Sequence, residues 1–120
     1  MKEYKLTDTE AKFAEIIWTN NPIPSGDLVK ICENELNWKK STTYTMLKRL
    51  EKKGVFENKN SIVFSLISKD DFHSEQSKQF VNETYNGSLP NFVAAFAKNE
   101  KLSSEEILSL QKLIDDHKEG

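Results

Sequence analysis

Apolar residues recur along the chain with two periods, and the change from one to the other divides it. Between Leu6 and Asn20, the residues Phe13, Ala14, Ile17 and Trp18 mark one face of a helix. Thr7 and Glu10 have the spacing at which each side chain satisfies a free backbone donor at a helix start. Pro22 and Pro24 bracket Ile23, which forbids helix there and permits at most a short edge strand. Leu28, Val29, Ile31 and Cys32 give a second helix, capped by Ser25 and running to about Leu36. A third helix takes Ser41 as its cap and buries Thr43, Met46, Leu47 and Leu50. It stops at Gly54, a residue suited to a left-handed C-terminal turn.

Beyond Gly54 the period falls to two. Val55 to Glu57 and Ser61 to Ile67 read as short strands, the second with Ile62, Phe64 and Leu66 on one face. Asn58, Lys59 and Asn60 supply turn chemistry between them. A lone two-stranded hairpin is marginal in water, so this one must lean on the helices. Ser68 and Asp71 open a long helix to about Tyr85, ended by Gly87. Ser88 starts another to about Lys98, with Pro90 in its first turn. Ser103 and Glu106 form a second capping box ahead of Ile107, Leu110, Leu113 and Ile114. The expected fold class is mostly α with a small β-hairpin. It comprises a winged helix-turn-helix DNA-binding domain over residues 1–68 and a helical dimerisation domain over residues 69–120.

Composition narrows the class. The 120 residues are 37% hydrophobic and 30% charged, the size and balance of one or two small globular domains. The opening MKEYKLTDTE holds no apolar run of the kind a leader needs. The longest apolar run, Phe92 to Ala97, is far too short to cross a bilayer. A single cysteine, Cys32, cannot form an internal disulfide and reads as core filler. A cytoplasmic protein without membrane insertion is expected. His73 and His117 lack ligand spacing, so neither a metal nor another cofactor is expected. With no glycine-rich phosphate loop and no nucleophile beside a base, an enzyme is not expected either.

Charge changes the picture. The chain as a whole is −2, yet Lys39, Lys40, Lys48, Arg49, Lys52 and Lys53 face only Glu51 within residues 39–54. That leaves +5 on sixteen residues and −7 on the remainder. Such a patch is either the footprint of a polyanion or a solvated helix face. Three helices followed by a hairpin place the third helix in a DNA major groove and make the hairpin a wing. On that helix Thr42, Thr45, Arg49 and Lys52 recur on one side, flanked by Ser41 and Tyr44. Hydroxyls and threonine methyls suit base edges, while lysine and arginine suit phosphates. The expected DNA-contacting set is therefore Lys40, Ser41, Thr42, Tyr44, Thr45, Lys48, Arg49 and Lys52, with Lys59 from the wing. Helix-start preference accounts for Ser41, but not for Thr42, Tyr44 and Thr45 together, which are poor helix formers. Arg49, the only arginine, is expected on a phosphate, the alternative being a local salt bridge.

Residues 69–120 are too few to bury a self-sufficient core. They nevertheless carry Phe80, Tyr85, Phe92, Phe96, Leu102, Ile107, Leu110, Leu113 and Ile114. A second copy about a two-fold axis would cover them and present two recognition helices to a palindrome. The alternative is packing against the N-terminal domain of the same chain.

The segments EIIW (15–18), NWKKSTTYTMLKRLEKKGVF (37–56) and FAKNEKLSSEEILSLQKLI (96–114) resemble the BlaI/MecI/CopY repressors of Gram-positive bacteria. The last segment is similar to the penicillinase-repressor branch. The resemblance implies a homodimer on an inverted-repeat operator of β-lactam-resistance-type genes. It places base contacts at Ser41, Thr42, Tyr44 and Thr45. Thr42 and Thr45 follow the family pattern, whereas the β-lactam repressors often have lysine and arginine at the positions of Ser41 and Tyr44. It also implies release by cleavage, initiated directly or indirectly by a membrane sensor-transducer protease, at an Asn-Phe bond before Ala-Lys-Asn-Glu. The corresponding bond here is Ala95–Phe96, where Phe96 matches and Ala95 does not. The paired cysteines of the copper-responsive branch are missing from the C-terminal LIDDHKEG. The alternatives are a winged-helix protein-interaction module that never touches DNA, and a family repressor answering a different signal.

Overall fold

A computed structural model describes residues 3–120; Met1 and Lys2, part of the opening stretch, lie outside them. Helix α1 spans Asp8–Asn20 and starts with the expected capping box. Thr7 Oγ1 accepts the Glu10 N–H at 3.1 Å, and Glu10 Oε1 accepts the Thr7 N–H at 2.9 Å. Strand β1 is the dipeptide Ile23–Pro24, and α2 follows at Ser25–Leu36. Ser25 is not a cap but the first helical residue, following Pro24, and it is buried.

Helix α3, Lys40–Lys52, also starts ahead of Ser41, with Lys39 at the cap position and no side-chain cap bond. The cause lies upstream. Asn37 takes a left-handed φ of 56°, the Trp38 N–H returns to the Cys32 carbonyl, and the Trp38 ring packs on Phe13 at 5.2 Å. The chain is thereby aimed into α3 from Lys39 onward. At the far end Gly54 has the expected left-handed φ of 79°, and the Val55 N–H bonds the Leu50 carbonyl.

The hairpin is part of a three-stranded antiparallel sheet, β1-β3-β2, formed with β2 at Phe56–Lys59 and β3 at Ile62–Ser65. Ile23 lies opposite Val63 and Asn58 opposite Val63 on the other side, so β3 is central. The turn is Asn60–Ser61, both at positive φ, while Asn58 and Lys59 stay in the strand. Because Ile23 and Val63 are the pair that faces the core, Ile62 and Leu66 fall on the exposed side of the sheet.

Helix α4, Lys69–Tyr85, begins where the Ser68 hydroxyl accepts the Asp71 N–H at 3.1 Å. Phe72 in its first turns is buried against Tyr4 and Trp18, at ring separations of 5.6 and 5.5 Å. The first compact unit accordingly runs to Gln79 and takes in the first turns of α4. Its core is built from Phe13, Ile17, Leu28, Leu47, Leu50, Phe56, Val63 and Phe72.

The second unit, Phe80–Gly120, holds the end of α4, α5 at Leu89–Asn99 and α6 at Ser104–Glu119. Ser88 caps α5, and Ser103 with Glu106 forms the capping box of α6. Phe80, Tyr85 and Phe92 meet edge to face with centroids 5.6 to 6.1 Å apart. No residue of this unit is buried. Among the described residues no helix is long and apolar enough to cross a membrane.

Candidate nucleic-acid interface

Helix α3 sorts its side chains by period. Thr43, Met46, Leu47 and Leu50 are buried in the first unit, which fixes how the helix is rotated. Burying the apolar Met46, Leu47 and Leu50 side chains favours that rotation by about 1.5–3 kcal/mol each. The opposite arc then has no choice but solvent. Ser41, Thr42, Thr45, Lys48, Arg49 and Lys52 are all exposed along it, and Lys40 is exposed at its start. The structure thus brings seven of the nine sequence-predicted residues to one helix and one surface, and Lys59 is exposed in the wing strand β2.

Two of the side chains have internal partners. The Thr45 hydroxyl donates to the Ser41 carbonyl one turn back at 2.9 Å, while the residue itself stays exposed. Arg49 Nη1 lies 3.7 Å from Met46 Sδ, and its guanidinium has no ion pair among the described residues. The local salt bridge considered for it is not formed.

Tyr44 differs from its neighbours. It sits on the flank of the arc, half-buried, and donates its O–H to Ser25 Oγ at 3.1 Å. Lys53 differs too. It counts toward the +5 segment, but its Nζ is 2.9 Å from Glu10 Oε1 and 2.9 Å from the Lys5 carbonyl. Neither partnership was legible in the sequence, since the residues lie far apart along the chain and no motif links them.

Other chemistry is sparse. Burial pushes the Cys32 thiol up, which keeps it protonated and unreactive. Among the described residues no group of three His, Cys, Asp or Glu side chains stands ready for a metal ion.

Three helices followed by a hairpin wing give the first unit the architecture of the winged-helix class, with α3 presenting an exposed face of hydroxyls and cations. Across residues 6–116 the chain matches the family model described as penicillinase repressor. It belongs to that family, whose members are transcriptional repressors and not enzymes. It is 33% identical over 118 residues to the penicillinase repressor of Bacillus licheniformis, covering 95% of this chain and 92% of that protein. It is 30% identical over 118 residues to the methicillin resistance regulatory protein MecI of Staphylococcus aureus strain Mu50, covering 95% and 96%. A penicillinase repressor of Staphylococcus aureus is 28% identical over 119 residues, covering 96% and 94%.

Proposed function

We propose that the chain represses transcription as a homodimer on an inverted-repeat operator controlling β-lactam-resistance-type genes. The exposed arc of α3 carries this reading. Thr42 and Thr45, with Ser41 and the edge of Tyr44, face the bases. Lys40, Lys48, Arg49 and Lys52 hold the flanking phosphates, and Lys59 on the wing reaches the backbone beside them. The names of the relatives, which speak of penicillinase and of methicillin resistance, support the class of gene.

The dimer rests on the second unit. Phe80, Phe96, Ile107, Leu110, Leu113 and Ile114 are exposed there, with Tyr85, Phe92 and Leu102 half-buried beside them. A groove of about 550 Å³ between α5 and α6 is lined by Phe92, Phe96, Leu102 and Leu110. Apolar surface of this extent without a covering element marks an interface, and a second copy supplies a self-complementary cover.

Repression ends when the second unit is cut, with Ala95–Phe96 as the bond and a sensor-transducer protease as the direct or indirect trigger. Phe96 is exposed and Ala95 half-buried, both within α5, and the Phe96 carbonyl accepts the Glu100 N–H at 3.1 Å. The last turn of α5 must therefore open before a protease can bind the strand. The test is capture of genomic fragments by the full chain, followed by sequencing and titration. An inverted repeat upstream of resistance-type genes is the expected result. Captured fragments with no shared sequence would overturn the reading.

A further inference from the structure

Two capping boxes among the described residues are built alike, and one of them does something more. In α6 the Ser103–Glu106 box is wholly exposed. In α1 the same role falls to Glu10, yet Glu10 is only 3% exposed. Capping does not require burial, as Glu106 demonstrates. Taking a carboxylate out of water is unfavourable unless it gains a charged partner and hydrogen bonds.

Glu10 has both. Its Oε1 accepts the Thr7 N–H and the Lys53 ammonium, each at 2.9 Å. Lys53 is the C-cap residue of α3; its own N–H returns to the Arg49 carbonyl, and its ammonium also reaches the Lys5 carbonyl. One buried carboxylate thus joins the start of α1 to the last turn of α3. Nearer its start, α3 is joined to α2 by the Tyr44–Ser25 hydrogen bond. The helix is pinned at two heights on its inner side, and its outer arc is left free.

We propose, resting on the DNA-binding reading above, that Glu10 is a positioning residue for DNA recognition: through Lys53 it fixes the C-terminal end of α3, so that Thr42, Thr45 and Arg49 meet their targets together. Lys53 is held on the protein side of the interface and neutralises no phosphate.

The test uses the full chain with Glu10→Gln, Lys53→Met and Lys53→Arg. Two probes serve: the tightest-binding duplex that the wild-type protein selects from genomic fragments, and a random duplex of equal length. Glutamine still caps α1 but removes the negative charge beside Lys53. Charge alone would make Glu10→Gln bind both duplexes more tightly. Positioning gives the opposite for the selected duplex, a loss of about tenfold, the worth of one misaligned base contact, with the random duplex bound as well as before or better. Lys53→Met loses the same discrimination with an unchanged salt slope, and Lys53→Arg retains both discrimination and slope. The proposal is overturned if Glu10→Gln tightens both probes alike, or if Lys53→Met makes the slope shallower by about one per protomer. Variants that match the wild type on both probes would overturn this proposal alone. A wild-type chain that binds no duplex would overturn the DNA-binding reading with it.

Discussion

Tyr44 of α3 donates its phenolic O–H to Ser25 Oγ at 3.1 Å, joining the flank of that helix to the first residue of α2. Ser25 is buried, so removing the phenol oxygen takes a hydrogen-bond partner from a hydroxyl with little access to water. Tyr44→Phe is expected to lower unfolding stability by about 0.5–1.5 kcal/mol. Thr42 is exposed, and Thr42→Ala is expected to leave stability within about 0.5 kcal/mol. That same change should cost about 1–3 kcal/mol on the selected duplex and little on random DNA. Urea midpoints beside duplex titrations check the pair. A Thr42→Ala loss equal on both duplexes would move the reading face elsewhere.

Phe72 and Phe96 belong to different units and should fail differently. Phe72 is buried between Tyr4 and Trp18, so Phe72→Ala should cost about 3–5 kcal/mol at every protein concentration. Phe96 is half-exposed within its own chain, so Phe96→Ala should act on assembly. Its melting temperature should fall below the wild type most at low concentration and recover as concentration rises. Calorimetry over a range of concentrations separates the two. A loss for Phe96→Ala that is independent of concentration would remove it from the interface.

Acid should weaken the Glu10 link. Burial pushes the Glu10 carboxyl up, but the Thr7 N–H and the Lys53 ammonium outweigh it and hold the group below the ordinary 4.5. A lowered folded value contributes stability above the unfolded value, and that share is lost as pH falls through the folded one. Wild type should therefore exceed Glu10→Gln in stability near neutrality, and the gap should close as pH drops below 4.5. Urea midpoints from pH 7 downward follow this. A gap that stays constant into acid would mean that the charge on Glu10 contributes nothing.

A chain ending at Ala95 lacks Phe96, Leu102, Ile107, Leu110, Leu113 and Ile114 but keeps the whole first unit. It should sediment as a monomer, retain the circular dichroism of a winged helix, and lose about 10²- to 10⁴-fold in affinity for a palindrome, because its two half-sites are no longer bound as one ligand. A fragment that stays dimeric and binds as tightly as the full chain would refute both the interface and the route of release.

Local signals carried most of the fold. Thr7 with Glu10, Ser88, Ser103 with Glu106 and Gly54 mark helix ends through contacts within a few residues, and all stand where the spacing predicts. The stripe of Thr43, Met46, Leu47 and Leu50 rotated α3 correctly, and the exposed arc followed from it. What the pattern missed depends on partners distant in sequence. Val63 faces inward because Ile23 pairs with it, and nothing in a run of alternating apolar residues chooses between the two faces. In the sequence Lys53 is one more cation of the basic run, and only the fold brings Glu10 beside it. The first turns of α4 join the first unit because Phe72 fits between two rings contributed from residues 4 and 18.

The dependence of DNA affinity on salt bears on all of this at once. The chain presents Lys40, Lys48, Arg49, Lys52 and Lys59 to solvent, and the proposed dimer would double them. For roughly 6 to 10 phosphates neutralised, log affinity of the full chain for its selected duplex should fall against log salt with a slope of about −5 to −9. A slope near zero, or no binding at low salt, would contradict a repressor that grips DNA through α3 and the wing.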